Sequence, residues 1–149
     1  MLSTFRCPDA PVYFVNASAE NALKADLENI IRSRGAKYRA SSHQDTLTWL
    51  ATKQEDWLVI MDNADDPSLR LVPYISQSPR GNVIITTRNT IHALLAPKSH
   101  HHLEGLPTED AISLILTASG YEDTKENRAL AHAIVEVLGH LPLALAQAA

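Results

Sequence analysis

Hydrophobic residues in the first two thirds of the chain form short β-type runs separated by segments with helical spacing. The β-type runs cover residues 12–15, 56–63 and 83–87. Apolar side chains recur at helical spacing in residues 21–34 and 42–53. Strands that alternate with helices predict an α/β domain with a parallel sheet. Residues 56–63 form a continuous apolar run rather than an alternation, which is typical of a strand covered on both faces.

Polar residues and breakers at the ends of these segments predict where the helices begin and end. Asn16 or Ser18 is expected to cap the first helix, and Gly35 to end it. Ser42 is the expected N-cap of the second helix. A short helix is predicted at residues 90–95, followed by a short strand at residues 101–104.

The last third of the chain has only helical patterns. One helix is predicted from Pro107 to Gly120, and a second over residues 125–138. A third begins near Pro142 and continues to the last residue without a cap, as in a truncated domain. The stripe of the second helix that is expected to be buried comprises Leu130, Ile134, Val137 and Leu138.

Composition restricts the classes of function. The chain has 149 residues and a formal charge of −4 without a basic cluster, which does not favour binding to nucleic acid or to a membrane surface. The apolar runs are shorter than the roughly 20 residues that span a bilayer, and no signal peptide is recognised at the start. Cys7 is the single cysteine, so an internal disulfide is excluded. A reducing, cytoplasmic location is expected.

Two polar sites follow neighbouring strands of the predicted sheet. Asp62 comes directly after the apolar run 58–61, and Thr86, Thr87 and Arg88 end the next run. Ligands of open α/β sheets gather at the carboxyl ends of the strands. A carboxylate there can hold Mg²⁺ beside phosphates, and an arginine can bind a phosphate. Taken alone, an acid in the position of Asp62 more often starts a turn, and a lone arginine such as Arg88 more often forms a surface salt bridge; the pair at neighbouring strand ends favours the ligand site.

A third segment, GHLPLAL, has a glycine and a proline at a corner between two helices. Gly139 permits a left-handed helix end, and Pro142 can begin the next helix. The flat ring of Pro142 is able to face a purine, although an ordinary helix–turn–helix corner has the same pattern.

In this order, these segments resemble the NB-ARC branch of the STAND class of P-loop NTPases, in its fungal form. LVIMDNADD resembles the Walker B strand, NVIITTR the sensor strand that ends in an arginine, and GHLPLALAQAA the GLPL motif. YFVNAS and the helix after it resemble the second strand and helix of that family, and HHLEGLPTEDAISLIL resembles the segment before GLPL. Residues 1–105 would then be a partial nucleotide-binding core, and residues 106–149 the start of a helical ARC-type subdomain.

The resemblance implies a signal-transduction switch that binds ADP or ATP with Mg²⁺. By position, Asp62 would serve Mg²⁺, Arg88 with Thr87 would contact the terminal phosphate, and Pro142 would lie against adenine. Adenine nucleotide and related NB-ARC or repeat-domain proteins are the partners implied.

One motif of that family is absent from the chain. The phosphate-binding loop G-x-x-x-x-G-K-[ST] requires a Gly-Lys pair, and none of the five glycines is followed by lysine. The first strand of the family's sheet is missing with it, which leaves backbone groups unpaired or closes the sheet. Asn63 also cannot act as a general base. The sequence therefore predicts a fragment that is weak or defective in nucleotide binding and is not an active ATPase.

Two alternatives remain open. The chain could be an interaction or decoy module that packs on related full-length proteins without nucleotide. It could also be a phospho-acceptor receiver domain, because Asp62, Thr86 and Lys98 occur in a suggestive order. A receiver needs an acidic pair on its first strand, however, and PVYFVNAS has none.

Overall fold

A computed structural model describes residues 10–149 of the chain. The chain divides between His100 and His101 into two compact units, which we call the N-terminal unit and the C-terminal unit. Cys7 lies outside the described residues.

The N-terminal unit is an α/β fold whose elements follow the order that the apolar pattern predicts. Its strands are β1 (Val12–Asn16), β2 (Trp57–Asp62) and β3 (Gly81–Ile85). Its helices are α1 (Glu20–Arg32) and α2 (His43–Thr52). Short 3₁₀ turns cover Ala36–Tyr38, Val72–Tyr74 and Thr90–Leu95, the last where a short helix is predicted.

The three strands form one parallel sheet in the order β1-β2-β3. Phe14, Ile60 and Ile84 lie side by side in one row of this sheet. The prediction of a parallel sheet is therefore confirmed. The family resemblance expects a further strand beside β2, but here β2 and β3 hydrogen-bond directly.

The core of the N-terminal unit lies on one face of the sheet. Along β2, Trp57, Val59 and Met61 are buried, whereas the intervening Leu58 and Ile60 are only half-buried. The prediction that this strand is covered on both faces is therefore wrong. Both helices pack on the same face because their apolar residues join a single cluster, which includes Leu23, Leu27, Ile30 and Leu50.

The two helices of this unit begin differently. Ser42 caps α2 with a reciprocal capping box, in which Asp45 accepts from the backbone N–H of Ser42, so this prediction is confirmed. At α1 the N-cap position is Ala19, which has no side chain able to cap. Asn16 instead accepts a hydrogen bond from the backbone N–H of Ser18. The prediction that Asn16 or Ser18 caps α1 is therefore wrong, because Asn16 closes the turn before the helix.

The C-terminal unit consists of α3 (Thr108–Ser119), α4 (Lys125–Leu138) and α5 (Pro142–Ala148). Gly120 and Gly139 end the first two helices in the left-handed conformation, as their positions predict.

The segment that leads into α3 has no strand, so the prediction of a strand at residues 101–104 is wrong. The backbone N–H of Leu106 donates instead to the carbonyl of His140, at 2.9 Å. Gly105 lies close by, and a Cβ atom there would come within 2.8 Å of the His140 Cβ. This contact fixes the start of α3 against the corner that follows α4.

The buried face of α4 differs from the predicted one. Ala131 and Val135 are buried in the core of the C-terminal unit, whereas Leu130 and Val137 are exposed. Only Leu138, of the predicted stripe, packs partly against that core. The helix turns its smaller apolar residues inward, since these permit α3 and α5 to approach closely. The core residues from the other two helices are Ala111, Ile112, Ile115, Leu116 and Leu145.

Candidate functional site

The carboxyl ends of β2 and β3 form the edge at which the sequence predicts a ligand site. Asp62 is the last residue of β2, and β3 ends at Ile85. The backbone N–H of Ala17, which follows β1, donates to the carbonyl of Asp62 at 2.7 Å. The residues that directly follow the three strands therefore all lie at one edge of the sheet.

Thr86, from the chain after β3, orients the carboxylate of Asp62. The Thr86 hydroxyl donates to Asp62 Oδ1 at 2.6 Å and accepts from the backbone N–H of Asn63 at 2.9 Å. Asn63 has a positive φ of 62°, which turns the chain away from the direction of β2. Among residues 10–149, no donor lies on the other carboxylate oxygen, Oδ2 of Asp62. Asp62 is exposed, so this oxygen is accessible.

Arg88 pairs with Asp65 rather than with Asp62. Its backbone N–H donates to Asp65 Oδ1 and its Nε donates to Asp65 Oδ2, both at 2.6 Å. These two hydrogen bonds, the backbone one first, hold the pKa of the Asp65 carboxyl below its usual range. The Arg88 side chain is 88% exposed, so its outer nitrogens face solvent at the same edge of the sheet. The sequence identifies Asp62 and Arg88 as residues of this edge, but the acid that binds Arg88 is Asp65 and not Asp62.

The hydroxyl of Thr87, a predicted contact of the nucleotide, is occupied by backbone groups. It donates to the carbonyl of Ala64 at 2.6 Å and accepts from the backbone N–H of Asn89 at 2.9 Å. In this structure Thr87 therefore joins the two loops of the edge and has no hydrogen left for a ligand.

The backbone N–H groups of this edge are also used internally. The N–H of Asn63 donates to Thr86 Oγ1, and the N–H of Ala64 donates to the carbonyl of Thr86. The N–H of Asp65 donates to the carbonyl of Asn63, and that of Arg88 donates to Asp65 Oδ1. A phosphate-binding loop works because its N–H groups are free to point at the ligand. These four amides do not form such a cradle.

Magnesium fits the donor chemistry of this edge in part. Mg²⁺ is usually held by one or two carboxylates, with waters and substrate phosphates completing its shell. Asp62 supplies one such carboxylate. No group of three or more His, Cys, Asp or Glu side chains that could hold a metal ion occurs in residues 10–149. Any cation at Asp62 would therefore take most of its ligands from water and from a phosphate.

A surface cavity beside this edge was not predicted from the sequence. Its volume is about 230 Å³, and its lining includes Glu20, Asp66, Arg70 and Tyr74. The Tyr74 hydroxyl donates to Glu20 Oε1 at 2.6 Å, and burial together with this bond raises the pKa of Tyr74. Ligand pockets range from about 300 to 1,000 Å³, so this cavity is small for a nucleotide. No sequence signal marks it, because the start of α1 meets the segment 66–74 only in the folded chain.

Pro142 is the first residue of α5, in the C-terminal unit, and it is exposed. The corner before it is tightly held. Gly139 and His140 both have positive φ values, 67° and 61°, and the backbone N–H of His140 donates to the carbonyl of Val135. The His140 ring lies 3.1 Å from the carbonyl of Leu106 through Nδ1. The GLPL-like segment is therefore a rigid corner whose proline ring faces solvent.

A comparison with protein-family models finds no match for this chain, and a comparison with curated proteins finds none either. No helix within residues 10–149 has both the length and the apolar character needed to cross a membrane.

The Asp65–Arg88 pair predicts a specific dependence of stability on pH. The pKa of Asp65 is lower in the folded state than in the unfolded state. Its contribution to the free energy of unfolding is therefore present above the unfolded-state pKa of about 4, and is lost as the pH falls through the lower folded-state pKa. Asp65→Asn is expected to reduce the loss of thermal stability as the pH is lowered from about 5 to about 2. Melting temperatures measured across this range test the prediction.

Asp56→Asn is the matched control, because Asp56 contacts Arg80 at a longer distance of 3.5 Å. An equal flattening of the pH profile by both variants would contradict a special role for Asp65.

Proposed function

We propose that this chain is the adenine-nucleotide-binding part of an NB-ARC-type signalling switch, and that it binds ADP or ATP with Mg²⁺ weakly and without hydrolysis. The observation that carries this proposal is the position of Asp62. It ends the central parallel strand, is oriented by Thr86 directly after the neighbouring strand and keeps one carboxylate oxygen accessible.

Each residue of the edge would have a separate part in binding. Asp62 would contribute its accessible oxygen to Mg²⁺, which neutralises phosphate charge when bound. The exposed guanidinium nitrogens of Arg88 would contact a phosphate while Nε stays on Asp65. Asn63, directly after the metal-binding position, is unable to accept a proton from water. These roles support binding rather than hydrolysis.

Low affinity follows from the hydrogen bonds of the edge. The backbone N–H groups from Asn63 to Asp65 already have protein acceptors, so a phosphate would gain few donors. We expect a dissociation constant of about 0.1–1 mM, which corresponds to about 4–5.5 kcal/mol.

Titration with a fluorescent ADP analogue and Mg²⁺ tests the proposal. Asp62→Ala and Arg88→Ala are each expected to weaken binding at least about tenfold, equivalent to about 1.4 kcal/mol. Removal of Mg²⁺ with a chelator should reproduce the effect of Asp62→Ala in the wild-type protein, and should add little in that variant.

The matched controls are Asp56→Ala and Arg80→Ala. These residues form an ion pair just before β2 and β3 begin, so they carry the same charges at the opposite end of the sheet. They should leave the affinity unchanged. Absence of saturable binding up to millimolar nucleotide, or equal losses in both pairs of variants, would refute the proposal.

A nucleotide-independent interaction module is the second candidate, and one observation favours it. The sheet exposes large apolar side chains, with Phe14 72% and Ile84 50% exposed. Related NB-ARC or repeat-domain proteins are the partners that the sequence resemblance suggests. Capture of such proteins that is lost in Phe14→Ser, together with a negative nucleotide titration, would support this candidate over the first.

A further inference from the structure

The face of the sheet opposite α1 and α2 is apolar and open. Successive residues of a strand point to opposite faces. Val15 and Val59 are buried on the helix-covered face, where Val83 is partly buried, so the residues that alternate with these three share the second face. In register they form two adjoining rows: Val12, Leu58 and Asn82, and then Phe14, Ile60 and Ile84. We call this set the open face.

The exposure of the open face is unusual for its strand type. Val12 and Phe14 are 44% and 72% exposed, and Ile84 is 50% exposed, while Leu58 and Ile60 are half-buried. Parallel sheets are found almost only with both faces covered. Five of its six positions are apolar and adjoin one another, which distinguishes them from scattered surface residues.

The dimensions of the open face fit one helix. Three strands about 4.8 Å apart give a width of about 10 Å, and the two apolar rows lie about 7 Å apart along the strands. A helix with its side chains is about 10–12 Å across, so one helix covers the width of the open face, and two of its turns, about 11 Å long, cover both rows. A stable dimer needs about 800 Å² from each partner, several times the area of this strip. The dimensions therefore favour a single helix over a second copy of the chain.

The charges around the open face indicate the direction of that helix. Asp62 and Thr86 continue the same face at the carboxyl end, and Asp62 is exposed without a cationic partner among residues 10–149. At the amino end, Asp56 and Arg80 neutralise each other. The N-terminus of a helix carries a partial positive charge and interacts favourably with a carboxylate. α1, on the other face, also begins at the carboxyl end of the strands.

We propose that the open face binds an amphipathic helix of a partner protein. That helix has a leucine-type apolar face about two turns long, lies with its N-terminus next to Asp62 and has no acidic residue in its first turn. This inference rests on the interaction module named above and does not depend on nucleotide binding. It specifies the partner by chemistry, as an apolar stripe with the helical i, i+3, i+4, i+7 spacing.

The probe is a labelled helical peptide of about 14 residues, with leucines on one face, lysine and glutamine elsewhere, and lysine in its first turn. Its scrambled counterpart has the same composition with the leucines spread around the helix. Fluorescence anisotropy should detect saturable binding of the first peptide only. Phe14→Ser and Ile84→Ser should each weaken it at least about tenfold.

Val137→Ser is the matched control variant, since Val137 is 84% exposed on α4 and lies in the other unit. It should bind the peptide like the wild type. Because Phe14 and Ile84 are largely exposed, their serine variants are expected to keep the wild-type melting temperature. Asp62 is unchanged in all of these variants. A negative peptide titration therefore does not contradict nucleotide binding, and a negative nucleotide titration does not contradict peptide binding.

A nitroxide at the N-terminus of the bound peptide tests the direction. It should broaden the NMR amide signal of Asn63 more than that of Asn82, since these residues lie at opposite ends of the open face. Equal binding of the scrambled peptide, or an affinity that Phe14→Ser leaves unchanged, would overturn the proposal. Concentration-dependent dimerisation lost in Phe14→Ser would overturn it as well, in favour of a second copy.

Discussion

Replacing Trp57 with alanine is expected to lower the free energy of unfolding of the N-terminal unit by about 3–5 kcal/mol, the usual loss for a buried large aromatic residue. Trp57 is completely buried, and its Nε1 donates to the carbonyl of Leu50 at 3.0 Å. The variant would leave a cavity, and the Leu50 carbonyl would keep only its longer hydrogen bond from the backbone N–H of Lys53, at 3.4 Å. Urea unfolding followed by circular dichroism measures this loss.

Trp49→Ala is the control for this experiment, because Trp49 is only partly buried at the edge of the same core. It stacks edge-on with Tyr13 and lies under the guanidinium of Arg34, 5.0 Å from its ring centroid. Such contacts contribute about 1 kcal/mol, so the loss should be clearly smaller. Equal losses for the two tryptophans would show that Trp57 does not organise this core.

Gly81 provides a second check on the same packing. A Cβ atom at Gly81 would lie 2.1 Å from the Trp57 ring, so the first residue of β3 has to be glycine while the indole is present. Gly81→Ala is expected to cost about 1–3 kcal/mol in the wild type and much less in the Trp57→Ala background. A double-mutant cycle with no coupling would contradict direct contact between the two residues.

The sequence predicts the elements of the N-terminal unit better than their surroundings. The apolar run at 56–63 identifies β2, because strand length and flanking polar residues are local properties. Whether Leu58 and Ile60 are covered depends on which faces the helices occupy, and no local pattern contains that information. α4 shows the same limit: Leu130 and Val135 belong to adjacent apolar rows, and packing against α3 and α5 selects the row with the smaller side chains.

The position of the candidate site was predictable from the sequence, but the acid that pairs with Arg88 was not. Asp62 lies at the end of an apolar run, so its place at the carboxyl edge follows from the strand. Which acid meets Arg88 depends on the turn at Asn63, whose left-handed backbone brings Asp65 alongside the chain after β3. A sequence with acids at 62, 65 and 66 does not distinguish these pairings, since the turn conformation of asparagine is only one of several it adopts.

Replacing Leu145 with alanine is expected to unfold much of the C-terminal unit. Leu145 is completely buried and is the buried residue that α5 contributes to the core of this unit. α5 spans Pro142–Ala148 and has no side-chain cap, so it is too short to persist without packing. The loss of about 2–5 kcal/mol for a buried leucine is comparable to the whole stability of roughly 50 residues, about 2–7 kcal/mol.

Hydrogen exchange measured by mass spectrometry resolves this effect within the unit. Amides of α3 and α4 should lose protection in Leu145→Ala, because their core residues Ile112 and Val135 share one cluster with Leu145. Leu143→Ala is the matched control: the same substitution two residues earlier in α5, at a side chain that is 71% exposed. It should change stability by less than about 0.5 kcal/mol. If both variants lost protection equally, α5 would be held by its exposed face, and the core described for this unit would be wrong.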